Sequence, residues 1–222
     1  MICDLHVHTY YSYDSTSLPE QIIERAIQKG VDCLAITDHN EIKGAIETAR
    51  YALDKSILII PGIEVKSREG DILGLNVKEV IPDRLSARET IKRIKKQGGV
   101  AIIPHPFATF YAFKGNLEDF LDDIDGIEVL NASISPSENK KALDFAIKNN
   151  LCFTAGSDAH FPDFIGRTYL EIPGENLSVE QVLEAIKNKN VKLGGKETSF
   201  FEKVIDHTKR NIAKLRMLKP RI

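Results

Sequence analysis

Apolar residues recur along this chain in two alternating rhythms. Short runs of consecutive or every-second hydrophobic positions give way to loops, then to stretches with apolar residues three and four apart. These are the spacings of buried strands and of one-sided helices. Ile2, Leu5 and Val7, with polar residues between them, predict a first strand running into a turn at Thr9. Ser17-Leu18-Pro19-Glu20 has the form of a capped helix start, with Ser17 as the cap, and Ile22, Ile23, Ala26 and Ile27 form a stripe that ends at Gly30. Cys33 to Thr37 reads as a strand. The helix after it is carried by Ile42, Ala45, Ile46, Ala49 and Leu53. Ile57 to Val65 is a further strand with a bend at Pro61-Gly62, and Arg68-Glu69-Gly70 turns it into a hairpin partner from Asp71 to Val77.

Ser86 caps the third helix, which Gly98-Gly99 closes, and Val100 to Ile103 is a strand ending in Pro104-His105-Pro106. Residues 107–115 are aromatic and irregular, either a lid or a packed loop. A short helix near Leu117–Leu121 leads to the strand Ile127–Leu130, a helix capped at Ser135, and a strand from Leu151 to Ala155. Thr168–Ile172, Ser178–Lys189 and Val191–Leu193 continue the alternation. Strands alternating with helices imply a parallel sheet covered by helices, either open and doubly wound or closed into a barrel.

Composition narrows the class. A chain of 222 residues that is 42% hydrophobic and 28% charged fits one globular domain, and a net charge of -2 gives no field that recruits nucleic acid or anionic lipid. No apolar run is long enough to span a bilayer, and the N-terminus lacks the features of a signal peptide. Cys3, Cys33 and Cys152 read as reduced core residues of a cytoplasmic protein.

The chemistry lies at the strand ends. His6 and His8, two apart on a strand, project from one face as a pair of nitrogen donors for a divalent metal. Of the six histidines, His6, His8, His39, His105 and His160 all fall at or just past the C-terminal end of a predicted strand. Asp14, Asp38, Glu64, Asp71 and Asp158 fall there too. An open sheet would hold the first and last of these strands apart. A barrel turns every strand's C-terminal end to one mouth, so the histidines select the barrel. Asp38 is expected to orient a histidine from behind rather than to bind metal.

Asp4-Leu5-His6-Val7-His8-Thr9, Ile36-Thr37-Asp38-His39-Asn40, Pro61-Gly62-Ile63-Glu64-Val65, Pro104-His105-Pro106 and Gly156-Ser157-Asp158-Ala159-His160 resemble, in order, the motifs of the PHP (polymerase and histidinol phosphatase) family. The resemblance covers Met1 to about Ile172. It implies a distorted, TIM-like (β/α)7 barrel over residues 1–195, two or three divalent ions (zinc, manganese or iron), and hydrolysis of a phosphoester by hydroxide held between metals. Carried over, His6, His8, Glu64 and Asp158 hold the first metal. Glu64 bridges to a second with His105 and Asp71, where Asp71 stands in place of a frequent histidine and favours a harder ion such as manganese. Asp14, His39 and His160 hold the third. His39 and His160 are also expected to act in catalysis, with Arg167 neutralising phosphate charge ahead of Lys66 and Arg68. Glu128 and Asn131 are taken as pocket residues.

The implied partner is a small phosphorylated substrate. Two rivals remain: an amide or ring hydrolase on a related barrel, and an RNA-associated or 3'-5' exonuclease-like protein. The second draws on residues 196–222, a basic segment with Lys203, Lys209, Arg210, Lys214, Arg216, Lys219 and Arg221 that is expected to form a helix packed on or extending from the barrel.

Overall fold

A computed structural model describes residues 1–217. Lys219 and Arg221 of the basic segment lie outside the described residues. Among the described residues, nine strands form one sheet in the order β7-β6-β5-β4-β3-β2-β1-β8-β9. They are β1 (Ile2–Val7), β2 (Cys33–Ile36), β3 (Leu58–Lys66), β4 (Asp71–Leu75), β5 (Val100–Ile103), β6 (Gly126–Asn131), β7 (Cys152–Gly156), β8 (Thr168–Glu171) and β9 (Lys192–Gly195). The first seven make a nearly closed barrel, as the clustered histidines required.

The barrel's distortions have local causes. β3 pairs in parallel with β2 through Pro61, then antiparallel with β4 from Gly62 onward. The expected bend is thus a change of partner, at a residue without an N–H and one without a side chain. Because β4 runs backwards, its first residue, Asp71, reaches the same rim as the other strands' last residues. Between β1 and β7 there is no full ladder. β8 pairs antiparallel with the first half of β1, and beyond it the chain after β7 docks directly: His8 N donates to Ala159 O at 2.9 Å. Gly156 permits this closure, since a Cβ there would lie 2.4 Å from His6 Cβ and 2.7 Å from its backbone nitrogen.

Cys3, Leu5, Cys33, Ala35, Ile60, Leu73, Leu75, Val100, Ile102 and Ala155 fill the interior. A second buried layer lies under the helices α1 (Pro19–Gln28), α2 (Lys43–Tyr51), α3 (Ala87–Lys96) and α4 (Pro136–Lys148). α5 (Val179–Lys187) adds Val182, Leu183 and Ile186 to the inner cluster. α6 (Phe200–Met217) crosses the mouth. No helix among the described residues is long and apolar enough to cross a membrane.

Caps at Ser86 and Ser135 form as the sequence predicts. The first helix departs from its prediction. Its cap is Leu18, whose N–H is met by Gln21, because the Ser17 hydroxyl donates instead to His160 O at 3.0 Å. Leu53 lies past the end of α2 and is 86% exposed, so it takes no part in that helix's stripe.

Candidate metal centre

Side chains from six segments meet at the barrel's mouth. His6 and His8 come from β1 and the residue after it, Asp14 from the following loop, His39 from the turn after β2 and Glu64 from β3. His105 follows β5, and Asp158 and His160 follow β7. All eight residues are buried except His39, which is intermediate. His105 and Asp158 are held at positive φ (32° and 51°), a sparsely populated backbone region for such residues, which aims both side chains inward.

Glu64 is the hub. Its Oε2 lies 3.6 Å from His6 Nε2, 3.5 Å from His8 Nε2 and 2.8 Å from His39 Nδ1, and its Oε1 lies 3.2 Å from His105 Nε2. Asp158 Oδ1 stands 3.7 Å from His6 Nε2 and 3.3 Å from His8 Nε2. Asp14 Oδ1 lies 3.4 Å from His39 Nε2 and 3.2 Å from His160 Nε2. Three sets, His6/His8/Asp158, His6/Glu64/His105 and His8/His39/His160, each bring their donor atoms within 4.8 Å of one another.

Surrounding hydrogen bonds fix which nitrogen faces the cluster. The Ser12 hydroxyl donates to Asp38 Oδ1 at 2.7 Å, so at its 3.1 Å contact with His8 Nδ1 it must accept. That puts the proton on Nδ1 and the lone pair on Nε2, pointing inward. Asp38 thus orients His8 through Ser12, in the supporting role expected for it. His6 Nδ1 is likewise engaged by Glu128 Oε1 (3.1 Å) and His160 Nδ1 by Asp158 O (3.0 Å). Glu128 Oε2 also accepts from His105 N and Asn131 Nδ2. Glu128 and Asn131 therefore brace the site from outside instead of lining a pocket.

His6 Nε2, His8 Nε2, Asp14 Oδ1 and Glu64 Oε2 are buried with no hydrogen-bond partner. Buried acceptors are rarely left bare, and here they converge. Mixed imidazole and carboxylate donors, with second ring nitrogens held from behind, suit divalent transition ions. The residues fit a metal centre.

Electrostatics agree with that fit. Burial alone would lower the His6 imidazole, yet the carboxylates of Glu128, Glu64 and Asp158 outweigh it and raise its pKa well above the ordinary value. His39, also against burial, is raised to about 10 by Glu64 and Asp14. His8 is pushed far down by burial and by the neighbouring His160 and His39, which keeps it a neutral donor. Burial would raise Asp158, but Arg210 and His6 hold it well below the usual carboxylate range.

Several residues stand apart from their sequence assignments. Asp71 borders the same cavity of about 280 Å³ but belongs to none of the three donor sets; its nearest ion partner is Lys66, at 3.8 Å. Arg167 turns away from the cavity, pairs with Glu202 of α6, and stacks 5.7 Å from the Phe164 ring. The arginine at the cluster is instead Arg210, on the basic helix. Lys214 also reaches in, to 3.9 Å from Asp14 Oδ2. Asp4 receives no role from the sequence. It is fully buried and accepts from Ser157 N, Ser157 Oγ and Gly166 N, pinning the loop that carries Asp158; burial raises its carboxyl to about 6. A lone acid inside an apolar strand is the signal that could have found Asp4. In the 107–115 loop, Tyr111 packs edge-on to His105 and Phe110 is 92% exposed, both at the cavity's edge.

The crystal structure of a two-domain protein from Bacteroides vulgatus, described as containing a predicted PHP-like metal-dependent phosphoesterase, superposes with a TM-score of 0.77 at 21% identity. The match covers 88% of this chain and 65% of that one. A family model described as PHP-associated matches residues 136–191. An uncharacterised protein of Methanocaldococcus jannaschii is 42% identical over 142 residues, 60% of this chain and 82% of its own length. The phosphoribosyl 1,2-cyclic phosphate 1,2-diphosphodiesterase of Eggerthella lenta is 38% identical over 88 residues, 37% of this chain and 33% of that enzyme. The chain is similar to PHP-like proteins in its fold and over residues 136–191 of its sequence. The mouth of the barrel shared with that fold is where the donors gather.

Proposed function

We propose that this protein hydrolyses small phosphomonoesters with two or three divalent ions at the cluster. His6, His8, Glu64 and Asp158 would hold the first ion; Glu64, His105 and Asp71 the second; Asp14, His39 and His160 the third. The observation that carries the reading is the convergence of unpartnered buried atoms on His6, His8, Asp14 and Glu64. When bound, such ions polarise phosphoryl oxygens and make water acidic enough to ionise near neutral pH.

The chain's own residues do the rest. Glu128, Ser12 and the Asp158 carbonyl fix the imidazoles of His6, His8 and His160, so their donor atoms need no reorganisation. His39, the one cluster histidine with appreciable solvent exposure, would with Asp14 and His160 hold the third ion on the solvent side of the cluster, where a leaving oxygen can be met. Arg167 contributes by anchoring α6 through Glu202, not by touching phosphate.

Substrate size follows from α6. Two of its cations are engaged on the barrel: Lys214 Nζ reaches into the mouth over Tyr13, and Lys209 Nζ lies over Phe161, 5.3 Å from the ring centre. That leaves less of the basic face for the backbone of an RNA, and favours a compact phosphate. The Eggerthella lenta relative, named for a phosphoribosyl substrate, points to sugar phosphates as a first class to test. An amide hydrolase of related fold would want a lysine between its ions, whereas Lys66 and Lys214 sit at the rim beside Asp71 and Asp14. The unpaired cysteines Cys3, Cys33 and Cys152 suit a cytoplasmic enzyme. A phosphate-release screen with manganese over sugar phosphates, nucleotides and short oligoribonucleotides tests the reading. Turnover of small monoesters is expected; turnover of oligonucleotides alone would overturn it.

A further inference from the structure

Arg210 is a half-buried cation with all but one of its nitrogens committed. Nε donates to Asp206 Oδ2 at 2.6 Å, one turn earlier on α6. Nη2 donates to Asp158 O at 3.1 Å and to Ser133 Oγ at 3.2 Å, which uses both of its protons. A guanidinium has five N–H groups, so two remain, both on Nη1. Nη1 has a single long contact, 3.4 Å to His160 Nε2. That nitrogen is also a donor in one of the metal sets, and its lone pair is unavailable to Arg210 whenever it ligates an ion.

The guanidinium also stands where two cavities meet. One is the space over the donor cluster. The other, of about 260 Å³, runs beneath α6 and has Phe164, Ser133 and Lys203 in its wall; Tyr111, Asp158 and Arg210 line both. A planar cation, braced on three sides and with both N–H groups of Nη1 unspent beside a cluster of metal ligands, is placed to donate to a phosphoryl oxygen.

We propose that Arg210 is the phosphoryl-binding residue of this site, supplied by the C-terminal helix, and that the cavity beneath α6 receives the leaving group. This rests on the phosphoesterase reading and adds to it the residue that selects the substrate. Because α6 roofs the second cavity, the leaving group must be compact, and the aromatic walls from Tyr111 and Phe164 favour one with an apolar face. The Arg167–Glu202 pair holds the start of α6 and so positions Arg210 two turns further on.

The test uses the full-length, metal-loaded protein and inorganic phosphate as the probe, with binding measured by calorimetry so that turnover is not required. R210K keeps a cation beside Asp206 and Asp158 but lacks the braced guanidinium and its free Nη1; R210A removes both. Phosphate affinity is expected to fall about tenfold to a hundredfold in each, the loss of charge-assisted bonds to an anion, with metal content unchanged. KM for 4-nitrophenyl phosphate should rise by a similar factor while kcat changes much less. Unchanged phosphate affinity in both variants would overturn the proposal. So would a fall that tracks a loss of bound metal, because Arg210 would then only support Asp158. If the wild-type protein binds phosphate through Arg210 but hydrolyses no ester, this inference stands and the proposed function fails.

Discussion

Replacing Glu64 by Gln is expected to lower kcat/KM for any phosphoester substrate by about a thousandfold or more, roughly 4 kcal/mol of transition-state stabilisation. No other side chain in the cluster touches so many partners: Oε2 faces three imidazoles and Oε1 a fourth. An amide has nearly the same shape and can still hydrogen-bond to His105, so the barrel should fold. What it lacks is the negative charge that can be shared between two cations. Burial would raise the Glu64 carboxyl, but His39 and His6 hold it well below the usual range, so it is fully ionised at any pH at which the enzyme would be assayed. Metal analysis of E64Q should show less bound ion than wild type, while circular dichroism stays the same. Wild-type turnover in a folded E64Q protein would contradict the proposed role.

Metal addition carries the second large effect. At a free ion concentration a hundred times its dissociation constant, binding stabilises the fold by about 2.7 kcal/mol. For a chain of this length that is a rise of about 5–11 °C in Tm. The size of the rise should depend on pH, in a direction the imidazoles set. His6, His39 and His105 have raised pKa values in the folded protein without metal. Stability gained from those protonated imidazoles is fully present below the unfolded histidine value near 6.5, and is lost as pH rises through their folded values, about 10 for His39. Ligation needs the same nitrogens free of protons, so metal affinity grows over that interval. The Tm gap between loaded and chelated protein should therefore widen from pH 6 to pH 8. A gap that narrows over this range, measured by thermal denaturation with and without chelator, would contradict the assignment of these imidazoles as ligands.

How much of this was legible beforehand divides along physical lines. The strand-end positions of His6, His8, His39, His105 and His160 were enough to choose a barrel, because only closure brings the first and last strands together. The reversed β4 was readable from the turn at Arg68-Glu69-Gly70. The closure at Gly156 was not, since it depends on how closely β1 approaches the chain after β7. Ser17 looked like a helix cap and is drawn off by the His160 carbonyl, a tertiary contact that no local pattern announces. Arg167 and Arg210 show the same limit from the other side. Arg167 closely follows the metal loop in sequence yet pairs with Glu202, while Arg210, in a helix that read as generically basic, lands on Asp158. Proximity in sequence to a ligand is a weak guide to proximity in space once a long helix can cross the mouth.

The central claim is that His6, His8, Glu64, His105 and Asp158 share bound cations. Anomalous diffraction from crystals grown with manganese or zinc tests it most directly. The account predicts at least two peaks, one at the Nε2 atoms of His6 and His8 beside Asp158 and one between Glu64 and His105. A map with no anomalous density at these side chains, from protein that binds the ion in solution, would contradict it.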